Sequence, residues 1–263
     1  MLKKSQRRNI LLVAVVAFPS SLLVADTFTP EHVFRLKSVA SAEISPDGTL
    51  VAYVLSVPRK PFEDEDGSSR TELHVVDTKG NSRPFVTGDV RIGGVTWTPD
   101  GRGISFLAKR GDDKERSLYA IPVDGGEARK VLEFKTGIES YSWSSDGKRV
   151  AFIANEKKPK ERKELEEKGF KQEIFEEDYV PQRLWIAAPE NDEEPQPMDL
   201  PGTPYGPEWA PTGSHVAMTL APTPFIDDFY MRRRLHVFDA EDGSIVSSFQ
   251  NPGKIGAYKW SPD

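Results

Sequence analysis

Tyr141-Ser142-Trp143-Ser144-Ser145-Asp146-Gly147-Lys148-Arg149-Val150-Ala151-Phe152-Ile153 is one copy of a stretch that this chain repeats. Ile44-Ser45-Pro46-Asp47-Gly48, Trp97-Thr98-Pro99-Asp100-Gly101, Trp209-Ala210-Pro211-Thr212-Gly213 and Trp260-Ser261-Pro262-Asp263 align with it. A hydroxyl residue suits the first position of a type I turn, Pro presets the backbone angle of the second, and Gly ends it. Three residues beyond each Gly stands Val51, Ile104, Val150 or Val216. A small residue follows (Ala52, Ser105, Ala151, Ala217), and then a large one (Tyr53, Phe106, Phe152, Met218). The turn positions are spaced by 53, 46, 66 and 51 residues. A self-similar period of about 50 residues built from strands signals stacked blades or coils, not a single ordinary sheet.

Each period predicts four strands. The first ends at the residue before the turn, and the second begins just after the Gly. The third carries Leu73-His74-Val75-Val76-Asp77, Leu118-Tyr119-Ala120-Ile121, Leu184-Trp185-Ile186 or Leu235-His236-Val237-Phe238-Asp239. Turns such as Asp124-Gly125-Gly126 and Glu241-Asp242-Gly243 then lead to a fourth strand, which makes an antiparallel meander. The second strands are almost continuously apolar, so both of their faces should be covered, as in blades stacked around an axis. The expected fold is all-β: a β-propeller of four-stranded antiparallel blades at about 39–88, 91–134, 138–201 and 204–250, with a fifth starting at 254–263. The fifth copy stops on its Asp, so the ring is expected to be incomplete and the chain truncated within it. Thr29-Pro30-Glu31-His32 predicts a short helix in a lead-in at 26–38, because it offers a capping hydroxyl, Pro at the first position and an early acid. The longest loop, Asn155 to Pro181, is strongly charged from Lys157 to Lys168, and its Glu and Lys spacing predicts a solvated helix.

Residues 1–25 combine Lys3, Lys4, Arg7 and Arg8 with the apolar run Ile10 to Phe18, the break Pro19-Ser20-Ser21 and small residues near Ala25. This is the outline of a signal peptide, and the run is shorter than the roughly 20 residues a spanning helix needs. Export to the periplasm or the extracellular space is therefore expected, with no membrane association after cleavage. Arg7-Arg8 also gives a weak hint of twin-arginine export. Losing those four basic residues takes the net charge from −6 to −10. An acidic domain is a poor partner for nucleic acid. With no cysteine in the chain, disulfides and thiolate metal sites are excluded.

The search for chemistry returns no catalytic, cofactor-binding or metal-ligating residue. Gly103-Ile104-Ser105 begins like a serine-hydrolase elbow, but Phe106-Leu107 follow and Ser105 holds the small packing position of a strand. His32, His74, His215 and His236 are the only histidines. His74 and His236 take equivalent places in their repeats, where Tyr119 and Trp185 stand in the others, and they read as packing residues. Acidic runs at Glu63 to Asp66 and Glu190 to Glu194 lack calcium-loop spacing and read as solvated. Glu176-Glu177-Asp178-Tyr179 reads as a charged loop end.

The repeated turns resemble the propeller domain of prolyl oligopeptidase-family serine peptidases, especially their acylaminoacyl-peptidase and dipeptidyl-peptidase branch. So do Val57-Pro58-Arg59-Lys60-Pro61, Gly125-Gly126-Glu127-Ala128-Arg129 and Glu177-Asp178-Tyr179-Val180-Pro181-Gln182-Arg183-Leu184-Trp185. The resemblance covers residues 28–263, and the turns alone are shared with TolB-like propellers. It implies a lid of about seven or eight blades that admits short peptides to a C-terminal α/β-hydrolase domain. That domain would carry the catalytic Ser, Asp and His, so no such role is carried onto a residue of this chain.

Overall fold

The computed structural model describes residues 27–261 apart from 173, 175, 177, 178, 192 and 251. The signal-peptide expectation at 1–25 and the end of the fifth turn at 262–263 lie outside the described residues, as do Glu177 and Asp178. Among the described residues sixteen strands form four separate four-stranded antiparallel sheets, each in the order of the chain. The first sheet holds β1 (Ser38–Ile44), β2 (Leu50–Val57), β3 (Arg70–Asp77) and β4 (Ser82–Val86). The second holds β5 (Gly93–Trp97), β6 (Gly103–Ala108), β7 (Ser117–Pro122) and β8 (Arg129–Leu132). In the third, β9 (Ser140–Trp143), β10 (Val150–Asn155) and β11 (Gln182–Ala187) end in the two-residue β12 (Gln196–Pro197). The fourth holds β13 (Thr203–Trp209), β14 (His215–Ala221), β15 (Arg234–Asp239) and β16 (Ile245–Phe249). The lead-in helix α1 (Pro30–Phe34) is capped by Thr29, and helix α2 (Lys160–Glu167) lies in the long loop of the third sheet.

The repeated turn works as its residues dictate. In the third copy Gly147 N–H donates to the Ser144 carbonyl (2.9 Å), and Ser144 Oγ donates to Asp146 Oδ1 (2.6 Å). Asp146 Oδ1 also accepts from Lys148 N–H (3.1 Å), while Arg149 N–H donates to Ser144 Oγ (2.9 Å). The first and second copies repeat this through Ser45 with Asp47 and Thr98 with Asp100. In the fourth, Ala210 and Thr212 stand where the hydroxyl and carboxylate would be, and only the backbone closure Ala210 N–H to His215 carbonyl remains (2.8 Å). The hydroxyls of Ser45, Thr98 and Ser144, followed by backbone N–H groups, hold the carboxyls of Asp47, Asp100 and Asp146 below the usual range. A carboxyl with a lowered native pKa adds stability above its unfolded value, roughly 4, and that contribution is lost as pH falls through the native value. Acid titration followed by circular dichroism should therefore show destabilisation in that window. A variant with Asn at positions 47, 100 and 146 should show less of it, and equal acid sensitivity in both proteins would refute the assignment.

The core lies between successive sheets. Val54, Leu73 and Val75 meet Val95, Trp97, Ile104 and Phe106 between the first and second. Leu107 and Leu118 meet Val150 and Phe152 between the second and third. Ala151, Ile153 and Leu184 meet Trp209, Val216, Met218 and Phe238 between the third and fourth. No buried cluster among the described residues joins the first sheet to the fourth, so the ring is open. The second strands β6, β10 and β14 are buried almost throughout, as their continuous apolar runs predict, whereas β2 alternates. The reason is position: β2 has a neighbouring sheet on one side only and nothing over its other face, where Ile44 of β1 is 68% exposed, whereas residues 252–261 lie against the fourth sheet through Tyr258 and Trp260. The small residue of each second strand is buried in all four copies.

First strands of neighbouring sheets approach one another, β1 with β5 and β9 with β13, so they line the axis. In three of the four later repeats a tryptophan makes a tie to the sheet before it. Trp97 Nε1 donates to the Glu43 carbonyl (3.0 Å) and Trp260 Nε1 to the Glu208 carbonyl (2.9 Å), which are equivalent positions of the repeat. Trp143 reaches the equivalent Thr96 carbonyl through a hydroxyl: its Nε1 donates to Ser105 Oγ (3.0 Å), which donates onward (3.3 Å). Ser105 is thus more than the small packing residue expected of it. Trp209 departs from the pattern, its indole turning to the Gly213 carbonyl (3.2 Å). Residues 252–261 form no strand, yet Trp260 and Tyr258 hold them against β13 as Trp143 and Tyr141 hold β9 against β5.

β5 and β13 are irregular in pairing beside Gly94 and Gly206, both at positive φ (57° and 62°). The tyrosine of the next repeat crosses each glycine: Tyr141 Oη donates to the Gly94 carbonyl (2.7 Å) and Tyr258 Oη to the Gly206 carbonyl. A Cβ on Gly206 would lie 2.9 Å from Tyr258 Oη, and one on Gly94 would lie 3.3 Å from the Tyr141 ring. Gly206→Ala should therefore cost about 1–3 kcal/mol, from left-handed backbone strain and loss of the close approach. Chemical denaturation will measure it, and a loss below about 0.5 kcal/mol, the usual scatter of surface changes, would refute the account.

Candidate functional site

The loops between second and third strands all leave the sheets at one rim, and they carry most of the irregular structure. In the first sheet's loop Arg70 joins Asp64 (3.1 Å) and Asp89 (3.2 Å), so part of the acidic run Glu63 to Asp66 is paired and not merely solvated. In the second, the Asp113 side chain is almost enclosed. Lys130 Nζ (2.5 Å), Tyr119 Oη (2.5 Å) and Arg110 N–H (3.1 Å) converge on it. Burial acts to raise the Asp113 carboxyl, but Lys130 and Tyr119 keep it below the usual range. Burial, then the hydrogen bond to Asp113, pushes the Tyr119 phenol up to about 12. This cluster is neutralised from within and offers no open donor or acceptor set.

The third loop carries α2, none of whose residues is buried. Glu166 pairs with Lys158 (2.9 Å) and Arg162 (3.4 Å), the solvated helix that its charge spacing predicts. The loop's end reaches the fourth: Tyr179 meets Phe225 edge-on at 5.8 Å. The fourth loop contains a π-helical turn, Asp228–Arg232. Buried Asp228 accepts from Thr223 Oγ1 (2.8 Å) and pairs with Arg232 (3.3 Å). Phe229 lies against Tyr205 of the axial strand β13 (4.8 Å), and the Arg233 guanidinium sits 3.9 Å from the centre of the Phe229 ring. Burial pushes the Tyr205 phenol up, and Arg233 acts against that shift. Phe62, Leu165, Phe170, Tyr179, Tyr230 and Met231 are exposed on these loops. Apolar groups exposed along one rim are of the kind that contact surfaces use.

Two clefts lie away from this corner. One of about 570 Å³ opens between the second and third sheets beside Arg102, Arg129, Trp143 and Asp146. One of about 370 Å³ is floored by Phe134 and Trp185. Neither brings a nucleophile to a base. His74 stacks on Tyr53 (5.3 Å) and meets Glu72 (3.0 Å), which is the packing role its repeat position predicts. His236 Nδ1 lies 2.9 Å from Ser248 Oγ, a pair the sequence search missed because its members are 12 residues apart on adjacent strands. Among the described residues no carboxylate orients that imidazole, and burial lowers its pKa, so the pair lacks the third group that activates a serine. No group of three or more His, Asp or Glu that could hold a metal ion occurs among the described residues. No helix among them is long and apolar enough to cross a membrane.

No family model matches the chain. Over 111 residues, 42% of its length, it is 33% identical to the uncharacterized peptidase YuxL of Bacillus subtilis, covering 16% of that protein. Over 114 residues, 43% of its length, it is 31% identical to dipeptidyl-peptidase 5 of Porphyromonas endodontalis, again covering 16%. The chain thus spans about a sixth of the length of the curated relatives it matches. Among solved structures, Pyrococcus horikoshii acylaminoacyl peptidase superposes with a TM-score of 0.57 at 16% identity, over 84% of this chain and 33% of that one. A putative TolB from Agrobacterium tumefaciens superposes with a TM-score of 0.53 at 17% identity, over 80% of this chain and 65% of that one. Four open four-stranded blades, and sequence likeness to two peptidases over some two-fifths of the chain, identify it as a β-propeller resembling those of prolyl oligopeptidase-type peptidases.

Proposed function

We propose that the chain is the N-terminal propeller portion of an exported serine peptidase of the prolyl oligopeptidase type. In this reading it restricts entry of short peptides to an α/β-hydrolase domain carried by the same polypeptide. The carrying observation is the sequence likeness to two peptidases over more than 110 residues, in a chain that covers 16% of each. The open ring and the apolar rim support it, because a blade with one bare face and loops with exposed aromatics both call for further polypeptide. Reading the coding DNA beyond the codon for Asp263 tests the proposal. Further repeats and then a Gly-x-Ser-x-Gly segment are expected, and their absence would refute it. The purified chain itself should hydrolyse neither peptides nor esters, since its described residues include no activated nucleophile. Hydrolysis blocked by a serine-directed reagent would contradict that.

A second reading is a non-catalytic, TolB-like periplasmic scaffold that binds a protein partner across its rim. The superposition on the Agrobacterium protein, over 65% of that chain, favours it. A stable complex with an envelope protein, together with no hydrolase segment downstream, would decide for it.

A further inference from the structure

Three consecutive arginines close the fourth sheet's loop, and the structure treats them differently. Arg232 pairs with Asp228 at 3.3 Å. Arg234 donates to the carbonyls of Met231 (3.3 Å), Arg233 (2.7 Å) and Gly253 (3.5 Å). Arg233 lies between them with neither kind of partner among the described residues. Its guanidinium is stacked 3.9 Å from the Phe229 ring centre and 5.6 Å from that of Tyr205. Its Nε is shielded from solvent and has no hydrogen-bond partner, one of only two side-chain atoms in that state among the described residues. The other, Gln182 Oε1, is a neutral acceptor. Nε stays shielded behind the outward Nη pair, and the charge of the group has no carboxylate or carbonyl partner among the described residues, so it is the uncompensated guanidinium that calls for an explanation.

We propose that Arg233 binds the terminal carboxylate of a short peptide; this rests on reading the chain as the propeller of a peptide-handling protein. The two Nη groups are not shielded, so they present a planar pair of donors outward. A carboxylate matches that pair in spacing and charge, and Arg is favoured over Lys for such planar recognition. Phe229 covers the face of the guanidinium, so the anion must enter in its plane. Phe229, Tyr205 and the exposed Tyr230 supply aromatic surface beside it for an apolar terminal residue. The position is also suited to sorting peptides. Tyr205 belongs to the axial strand β13, which places Arg233 at the axial corner of the rim, beside the path along the propeller axis. The negative charge of the chain as a whole disfavours an anion elsewhere on the surface, which makes a locally uncompensated cation more selective.

Titration calorimetry on the full chain tests this with the tripeptide Gly-Leu-Phe and its C-terminal amide as probes. The free acid should bind about tenfold or more tightly than the amide, the scale of a charged hydrogen-bonded pair. Arg233→Gln should abolish that preference while leaving the circular dichroism spectrum unchanged. Should Arg233→Gln fail to fold, Arg233→Lys is measured in its place: it keeps the charge and should retain a reduced preference for the acid. Arg102→Gln, at the distant cleft, should leave the preference intact. Equal affinity for acid and amide, no binding of either, or a preference surviving Arg233→Gln would each overturn the proposal. A hydrolase segment downstream together with any of these results would remove the carboxylate site and leave the peptidase reading standing. Absence of that segment, with the acid preference present, would do the reverse.

Discussion

Trp97→Ala is expected to lower the unfolding free energy by about 3–5 kcal/mol, the usual cost of emptying a large aromatic site in a core. Trp97 is 7% exposed and stands in the layer between the first and second sheets with Val54, Leu73 and Phe106. Its indole also makes the axial tie to the Glu43 carbonyl (3.0 Å). Trp97→Phe separates the two contributions, because it keeps most of the ring and deletes only the donor. That variant should cost about 1 kcal/mol beyond its small loss of volume. Urea denaturation of both variants is the measurement. A loss under about 1 kcal/mol for Trp97→Ala would mean that the sheets are not held together at this position.

Phe152→Ala is the second large effect, again about 3–5 kcal/mol. Phe152 is fully buried and meets Phe134 edge-on at 5.1 Å and Trp185 at 6.5 Å, in the layer between the second and third sheets. Stacked repeats contact only their neighbours, so the loss falls on one interface. Hydrogen exchange should show amides of β6 and β10 opening together at lower free energy, while those of β14 and β15 keep their protection. Uniform loss of protection across all four sheets would instead mean that the array unfolds as one unit.

Much of the fold is legible in the residues because the repeat states it several times. Ser144, Asp146 and Gly147 sit within one turn, and short-range chemistry of that kind is visible in any one copy. The small residue followed by a large one in each second strand announces close sheet packing, and Ala52, Ser105, Ala151 and Ala217 are all buried. The candidate site was much less legible. Met231-Arg232-Arg233-Arg234 reads as an ordinary basic run, and nothing in it says which arginine lacks a partner. That depends on Asp228 facing Arg232 and on carbonyls turning toward Arg234, which a π-helical turn arranges. Asp113 is similar: its enclosure by Tyr119 and Lys130 requires residues 6 and 17 positions away to meet on adjacent strands.

By itself, then, the order of residues determined the repeat, the strand count, the closing chemistry of the turns and the expectation of stacked sheets, because each follows from local sterics and a period of apolar residues. Only the tertiary arrangement decided that Ser105 relays the Trp143 tie, that Gly94 and Gly206 lie under tyrosines of the next repeat, and that Arg233 is left without an anion. The first two depend on groups that face one another 38 to 52 residues apart in the chain, and the third on how a π-helical turn aims its side chains, and neither leaves a periodic trace along the polypeptide.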